Sequence, residues 1–370
     1  MAVTITTEPQ GQLLNAYNNS ILEFGTDVGT PSRAIILVEN FKFEVTPNKE
    51  VFFFDLKEIV KVLVNQDNFT DAIEVLNANN FLFPDGNLYK EIEFSITVFK
   101  SSGSSETLTK TYKYIKSAKQ IIRTEFAEND LIKVLSPSSD IVSNVTYFEG
   151  YPFDVSIFSN IARSITLTHK QTSATITLNL SKGVNRLFLS NGENDNLGFE
   201  SNIPLFIGVN ELELKVDASN ILTLFVTKKE VECGVYLKWF NQNSGWSYWK
   251  FNEIFKESIK TKSLDEINSD YNNIENSVSR VTQTGKTAEK FLSLITGNLT
   301  GNERLIVEQV FTSPKVFYYN NSELQPFRKV DWKEIKVTNS SKELRNTKNY
   351  NHEYNVDIEL PELYTQTYAG

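Results

Sequence analysis

The sequence predicts a mainly β, multidomain protein of β-sandwich-like architecture with a few short helices, and three observations carry that expectation. Apolar and polar residues alternate in short runs, as at Ile36, Val38, Phe41 and Phe43, the period of a half-buried strand. Between Ile132 and Thr227 such runs return every roughly ten residues, separated by Asn, Gly and Ser, which is the spacing of antiparallel sandwiches and barrels. Helical spacing occurs only in brief stretches. With 370 residues, 40% of them hydrophobic and 12% aromatic, the chain holds apolar surface for about two to three domains.

The first segment, 1–128, opens with alternation from Ala34 to Val45, a turn at Pro47-Asn48 and a return through Val51-Phe52-Phe53-Phe54, which reads as a hairpin. Asp55 then stands at an N-cap position before Leu56, Ile59, Val60 and Leu63, one apolar helical stripe. After Pro84-Asp85-Gly86-Asn87, runs from Ile92 to Lys100 and from Thr107 to Ile115 flank the tip Ser101–Ser105, a second hairpin. Segment 129–230 holds strand signals at Val145–Phe148, Ser164–His169, Ala174–Leu180, Arg186–Leu189, Glu211–Val216 and Leu222–Val226. An aromatic-Asp-aliphatic step occurs at both Phe54-Asp55-Leu56 and Phe153-Asp154-Val155; two matches are too few for a repeat.

Segment 231–370 starts with an aromatic hairpin, 233–251, that turns through Asn241-Gln242-Asn243-Ser244-Gly245. A polar arm follows over 256–286, short of the apolar surface that would order it in isolation. Helix-like stretches are expected at Ala288–Leu294 and Glu303–Val310, stopped by Ser313-Pro314, and strands at Val316–Tyr319, Glu334–Val337 and Glu353–Leu360.

The side chains available for chemistry are few. His169 and His352 stand alone on strand or strand-edge positions, with neither Cys nor carboxylate at metal spacing. Cys233 is the only cysteine, so no intramolecular disulfide forms. Gly285-Lys286-Thr287 ends like a phosphate loop, but Arg280 occupies the position of the required glycine. Asn191-Gly192-Glu193-Asn194-Asp195-Asn196 spaces oxygens like a calcium loop, yet lacks glycine at the sixth position and has Asn202 at the twelfth, which favours a turn. No Gly-x-Ser-x-Gly elbow occurs. Catalytic, cofactor-binding and metal-ligating residues are therefore expected to be absent, a converging carboxylate pair being the one arrangement sequence leaves open.

A net charge of −9 with scattered acids gives no footprint for duplex nucleic acid. No run approaches the ~18 apolar residues of a membrane helix, and Met1 to Gln10 holds no basic stretch leading into an apolar one. The chain is thus expected to stay in the compartment where it is made unless it leaves as part of an assembly.

The aromatic hairpin is the most informative segment. Val235, Leu237 and Trp239 fall on one face and Tyr236, Lys238 and Phe240 on the other, so both faces carry bulk. Tyr236, Trp239, Trp246, Tyr248, Trp249 and Phe251 are the candidate contact residues; structural core, a subunit interface and sugar stacking are three uses for them.

The hairpin, the polar arm and the closing Phe311-Thr312-Ser313-Pro314-Lys315-Val316 resemble virion proteins of tailed phages that infect Bacteroidota, the tail-proximal and baseplate proteins of crAss-like and related phages. Phe53-Phe54-Asp55-Leu56-Lys57-Glu58-Ile59-Val60 and Glu149-Gly150-Tyr151-Pro152-Phe153-Asp154 are similar to that group as well. The resemblance implies a non-enzymatic, multi-copy component of a tail or baseplate, made in the host cytoplasm and residing in the virion. Its partners would be other tail proteins and further copies of itself in a ring, without nucleic acid, membrane or cofactor. A rival from another class is a carbohydrate-binding sandwich, with Trp246, Tyr248 and Trp249 stacking on a host-surface glycan.

Overall fold

The computed structural model describes residues 3–11, 13–27, 29–77, 80–120, 132–137, 142–192, 197–216, 221–230, 234–268, 281–319, 332–339 and 353–367. The architecture is mainly β, with several sheets and, among the described residues, two short α-helices. The chain divides into two compact units, Met1–Lys229 with Asn241–Trp246, and Glu230–Phe240 with Ser247–Gly370.

In the first unit, a five-stranded sheet runs in the order Leu14–Asn15, Ser105–Ile115, Tyr89–Lys100, Pro31–Val38, Phe41–Val45. Its long hairpin pairs Tyr89 with Ile115 and Phe99 with Ser105, around the Ser-rich tip. A three-stranded sheet of Val3–Thr7, Ile21–Thr26 and Phe52–Asp55 adjoins it in one core, where Leu22, Phe24, Ile36, Phe52, Phe94 and Ile96 are fully buried. Two expectations change here. Glu39 turns at φ 48 and splits the expected long strand into Pro31–Val38 and Phe41–Val45. Phe52–Asp55 pairs with Ile21–Thr26 instead of closing the expected hairpin. The helix Lys57–Val64 buries Ile59, Val60, Leu63 and Val64. It begins after Leu56, and the Asp55 carboxylate still accepts the Lys57 N–H at 3.0 Å.

The rest of the first unit is sandwich-like. One sheet orders Val142–Phe148, Ile221–Lys229, Gly208–Lys215, Arg163–His169 and Thr175–Leu180; the other orders Ile132–Val134, Pro152–Ser159, Gly183–Asn191 and Leu82–Pro84. Pairing is antiparallel except that Val142–Phe148 runs parallel to Ile221–Lys229. Leu82–Pro84 joins Gly183–Asn191 through Leu82↔Leu187 and Pro84↔Asn185, so segments 1–128 and 129–230 share a sheet within one unit.

The second unit is built on a seven-stranded sheet ordered Trp246–Phe251, Val235–Phe240, Val316–Tyr319, Trp332–Val337, Asn355–Glu359, Lys286–Ile295 and Glu253–Ser263. The Ala288–Leu294 stretch, expected to be helical, is a strand: Ala288, Leu292 and Leu294 are buried at even spacing, and period two is the signature of a sheet face. The helix expected over Glu303–Val310 forms as an α-helix, Gly301–Val307, followed by a 3-10 turn, Glu308–Phe311, and opens with a capping box, the Glu303 carboxylate accepting the Thr300 N–H at 2.9 Å.

Candidate functional site

Every residue of Val235–Phe240 and of Trp246–Phe251 is buried. Both faces of the hairpin are therefore covered, as the two-sided bulk predicts. In the second unit Tyr236 stacks on Tyr248 at 6.0 Å between ring centroids, and Trp332 lies 5.9 Å from Tyr236 and 4.9 Å from Tyr319. The Lys238 ammonium lies 4.3 Å from the Trp332 ring centroid and 5.3 Å from that of Phe317, a cation held against aromatic faces. Tyr236, Trp239, Trp246, Tyr248, Trp249 and Phe251, the candidate contact residues, are all less than a tenth exposed within a single copy, which is the core placement among their three uses. Trp332, whose aromatic neighbours complete the cluster, lies two residues before the strand expected at Glu334–Val337, which begins at Trp332 in the fold.

The turn of the hairpin belongs to the first unit. The Asn241 side-chain oxygen accepts the N–H groups of Asn243 and Gly245 at 2.9 and 3.2 Å, and Ser244 takes a left-handed φ of 71. The turn's own groups are then consumed: the Asn243 amide donates to the Ser136 carbonyl at 2.9 Å, and the Gln242 carbonyl accepts from Ala118 and Lys119 N–H at 2.9 and 3.0 Å.

Near Trp246 lies a buried charge cluster of the first unit. Arg186, fully buried, grips Asp154 in a fork with contacts of 2.9 and 2.7 Å, and reaches Asp71 at 2.5 and 3.2 Å. Asp85 stands 3.7 Å from the same guanidinium. The guanidinium carbon is 4.9 Å from the Phe188 centroid and 5.9 Å from that of Trp246. Burial pushes the Asp85 carboxyl above its ordinary value, against the pull of Arg186 and of the Asn87 N–H, with Asp71 and Asp154 adding to the rise. The geometry is that of a structural lock, since Nε, Nη1 and Nη2 of the cation each donate to a carboxylate. Among the described residues no cluster of His, Cys, Asp and Glu is arranged to hold a metal ion.

His169 is fully buried. Its Nδ1 accepts the Thr172 N–H at 3.2 Å, which leaves Nε2 to donate to the Asn210 side-chain oxygen at 3.1 Å. Asn210 in turn donates to the carbonyls of Phe206, Gly208 and Val226. The imidazole is thus a fully engaged strut. Cys233, His352 and positions 193–196 of the Asn191–Asn196 stretch lie outside the described residues. Gly285 makes an isolated bridge to Thr367, and Lys286 and Thr287 begin a strand, so the phosphate-loop pattern has no loop to stand on.

The polar arm is where surface is left open. Its described parts, 256–268 and 281–286, are strand instead of loop: Glu253–Ser263 pairs with Lys286–Ile295, and Glu266–Asn268 continues the ribbon with Val281–Gln283. Residues 256–268 are exposed throughout, and Ile259 is 62% exposed.

No protein-family model matches the chain, and no curated protein matches it. Solved structures give weak likenesses. A titin A168–A169 fragment is 10% identical, with 63% of this chain and all of that one covered at a TM-score of 0.28. A bacterial ice-binding adhesin involved in host cell surface retention is 11% identical, covering 79% of this chain and 90% of that one at 0.18. Dimeric latent PorU from Porphyromonas gingivalis is 8% identical, covering 79% and 32% at 0.19.

Proposed function

We propose that the chain is a non-enzymatic structural protein that works by contact, as a multi-copy tail or baseplate component of a tailed-phage virion. One observation supports contact as the mode of action: an edge strand of 11 residues, Glu253–Ser263, ends the sheet of the second unit and carries exposed side chains along residues 256–263. Long uncovered edges are templates for pairing with another chain, and monomeric proteins avoid them. The virion assignment rests on the sequence resemblance carried by the aromatic hairpin, the arm and Phe311–Val316. The carbohydrate-binding alternative loses its platform, since Trp246, Tyr248 and Trp249 are buried and stacking needs an open aromatic face.

The test is quantitative mass spectrometry and immunogold labelling of purified phage particles whose genome encodes the chain. Several copies per particle, decorated at the tail, are expected. Absence from the particle, or shortening of capsular polysaccharide by the purified chain, overturns the reading.

A further inference from the structure

We propose that the free edge of Glu253–Ser263 accepts, as an added strand, an extended segment of a different protein that alternates acidic with β-branched apolar residues. The inference rests on the contact reading above and names the partner's chemistry.

The hydrogen-bond directions define what the edge offers. The N–H groups of Leu363 and Leu360 donate to the carbonyls of Ala288 and Lys290, each at 2.9 Å, on the far side of Lys286–Ile295. Backbone groups alternate in direction along a strand, so Thr287, Glu289 and Phe291 face Glu253–Ser263. Their partners Lys262, Lys260 and Ser258 therefore turn inward. Leu264, whose N–H donates to the Gly285 carbonyl at 3.0 Å, continues the same phase. Glu257, Ile259, Thr261 and Ser263 are left with N–H and C=O directed outward, an uninterrupted ladder beyond the bulge between Ile254 and Lys256.

Side chains define what the edge selects. Lys256, Lys260 and Lys262 share one face of the strand and make no ion pair among the described residues. Ile259 and Thr261 share the other face with Glu257, which is held by Lys290 at 2.6 Å. An added strand sets its own side chains beside each face in turn. Acidic residues answer the lysines, and β-branched ones cover Ile259, so charge complementarity within an acidic protein of net charge −9 points to a still more acidic segment.

A second copy of the same strand is a poor occupant. Antiparallel two-fold pairing centred on residue 257 sets Glu257 against itself. Centres at 258 and 259 set Lys256 against Lys260 and Lys262, and centres at 260 and 261 set Lys260 against itself and against Lys262. Like charges directly opposite destabilise a pair, so the lysines close the edge to itself while leaving it open to an opposite charge.

The experiment measures binding of two fluorescent peptides of about eight residues, one alternating Glu with Val and one alternating Lys with Val, to the full chain by anisotropy. The acidic peptide is expected to bind at least about tenfold more tightly than the basic one. Ile259→Pro removes an outward N–H and leaves the ladder to Lys286–Ile295 intact, so it abolishes binding with circular dichroism unchanged. The triple variant Lys256→Glu, Lys260→Glu, Lys262→Glu reverses the preference and serves also if the proline variant misfolds. Equal binding of both peptides, or acidic-peptide binding that survives charge reversal, overturns the proposal. So does an oligomer of the chain that Ile259→Pro dissociates, because the edge is then occupied by a second copy. Failure here with the chain still present in tails leaves the structural role standing, whereas absence from particles removes that role whatever the peptides do.

Discussion

Arg186 shows how burial sets the sign of a substitution. Its guanidinium neutralises Asp154 and Asp71 in a region where all three side chains are less than a tenth exposed, so removing it takes the buried counter-charge from two carboxylates. Arg186→Leu is expected to cost about 3–5 kcal/mol in urea unfolding. Asp85 behaves oppositely. Its folded pKa is raised above the ordinary 3.8 by burial, so the folded state prefers the neutral acid, and stability falls as pH rises from below 3.8 through the folded value. Asp85→Asn removes that penalty while a side-chain oxygen remains to accept the Asn87 N–H. The variant should gain in melting temperature relative to the native chain at pH 7 and lose that advantage toward pH 3; a gain larger at acid pH contradicts the assignment. Trp239 separates core from interface in the same way. Its indole N–H has no acceptor among the described residues, so Trp239→Phe keeps most of the burial without losing a hydrogen bond, and should cost under about 1.5 kcal/mol. Trp239→Ala should cost about 3–5 kcal/mol, read by urea unfolding of the isolated chain, where a residue reserved for a partner would show little.

At the scale of elements, the helix Gly301–Val307 is short enough for its cap to matter. Thr300→Ala removes the hydroxyl that accepts the Glu303 N–H and leaves the Thr300 N–H to the Glu303 carboxylate, and should cost about 1 kcal/mol, with Thr300→Ser restoring most of it. The same helix was legible in sequence, as were the Ser-tipped hairpin and the two-sided aromatic hairpin, because each carries a local signal: a stop at Pro314, a turn-forming tip, bulk on alternate faces. Ala288–Leu294 reads as helix although it lies in the strand Lys286–Ile295, since Phe291, Leu292 and Leu294 also satisfy helical spacing over so short a run. Residues 256–263 read as a loop-like arm because a strand exposed on both faces has no apolar alternation to reveal it. That is also why sequence draws attention to the aromatic hairpin and not to this edge. Bulky aromatics stand out in a sequence whether they are buried or exposed, whereas an open edge made of Lys, Glu, Ser and Thr is defined by backbone groups that sequence does not display. The Arg186 cluster was invisible for a related reason, its members being drawn from positions 71, 85, 154 and 186.

At the scale of the molecule, the first unit is not a contiguous stretch of chain: Asn241–Trp246 belongs to it although the sequence has left it at Lys229. The returning turn bonds backbone groups that lie just beyond the ends of strands in the first unit. The Gln242 carbonyl takes the N–H groups of Ala118 and Lys119, the Ser244 hydroxyl donates to the Leu88 carbonyl at 3.2 Å, and the Asn243 amide donates to the Ser136 carbonyl. Gly245 fits because any Cβ there would stand 2.9 Å from the Ser156 hydroxyl and 3.3 Å from the Leu135 carbonyl. An unpaired buried backbone group costs about 1–3 kcal/mol, so these bonds hold the first unit's stability partly in residues far along the chain. Replacing Asn241–Gly245 by a minimal Asn-Gly turn in the full chain should therefore raise amide hydrogen exchange at Ala118 and Lys119 by about tenfold or more. Gly245→Val should do the same through the clash at Ser156, while amides of the Gly301–Val307 helix exchange as before. Unchanged protection at Ala118 and Lys119 would show that the first unit closes without the turn and that its boundary lies at Lys229 after all.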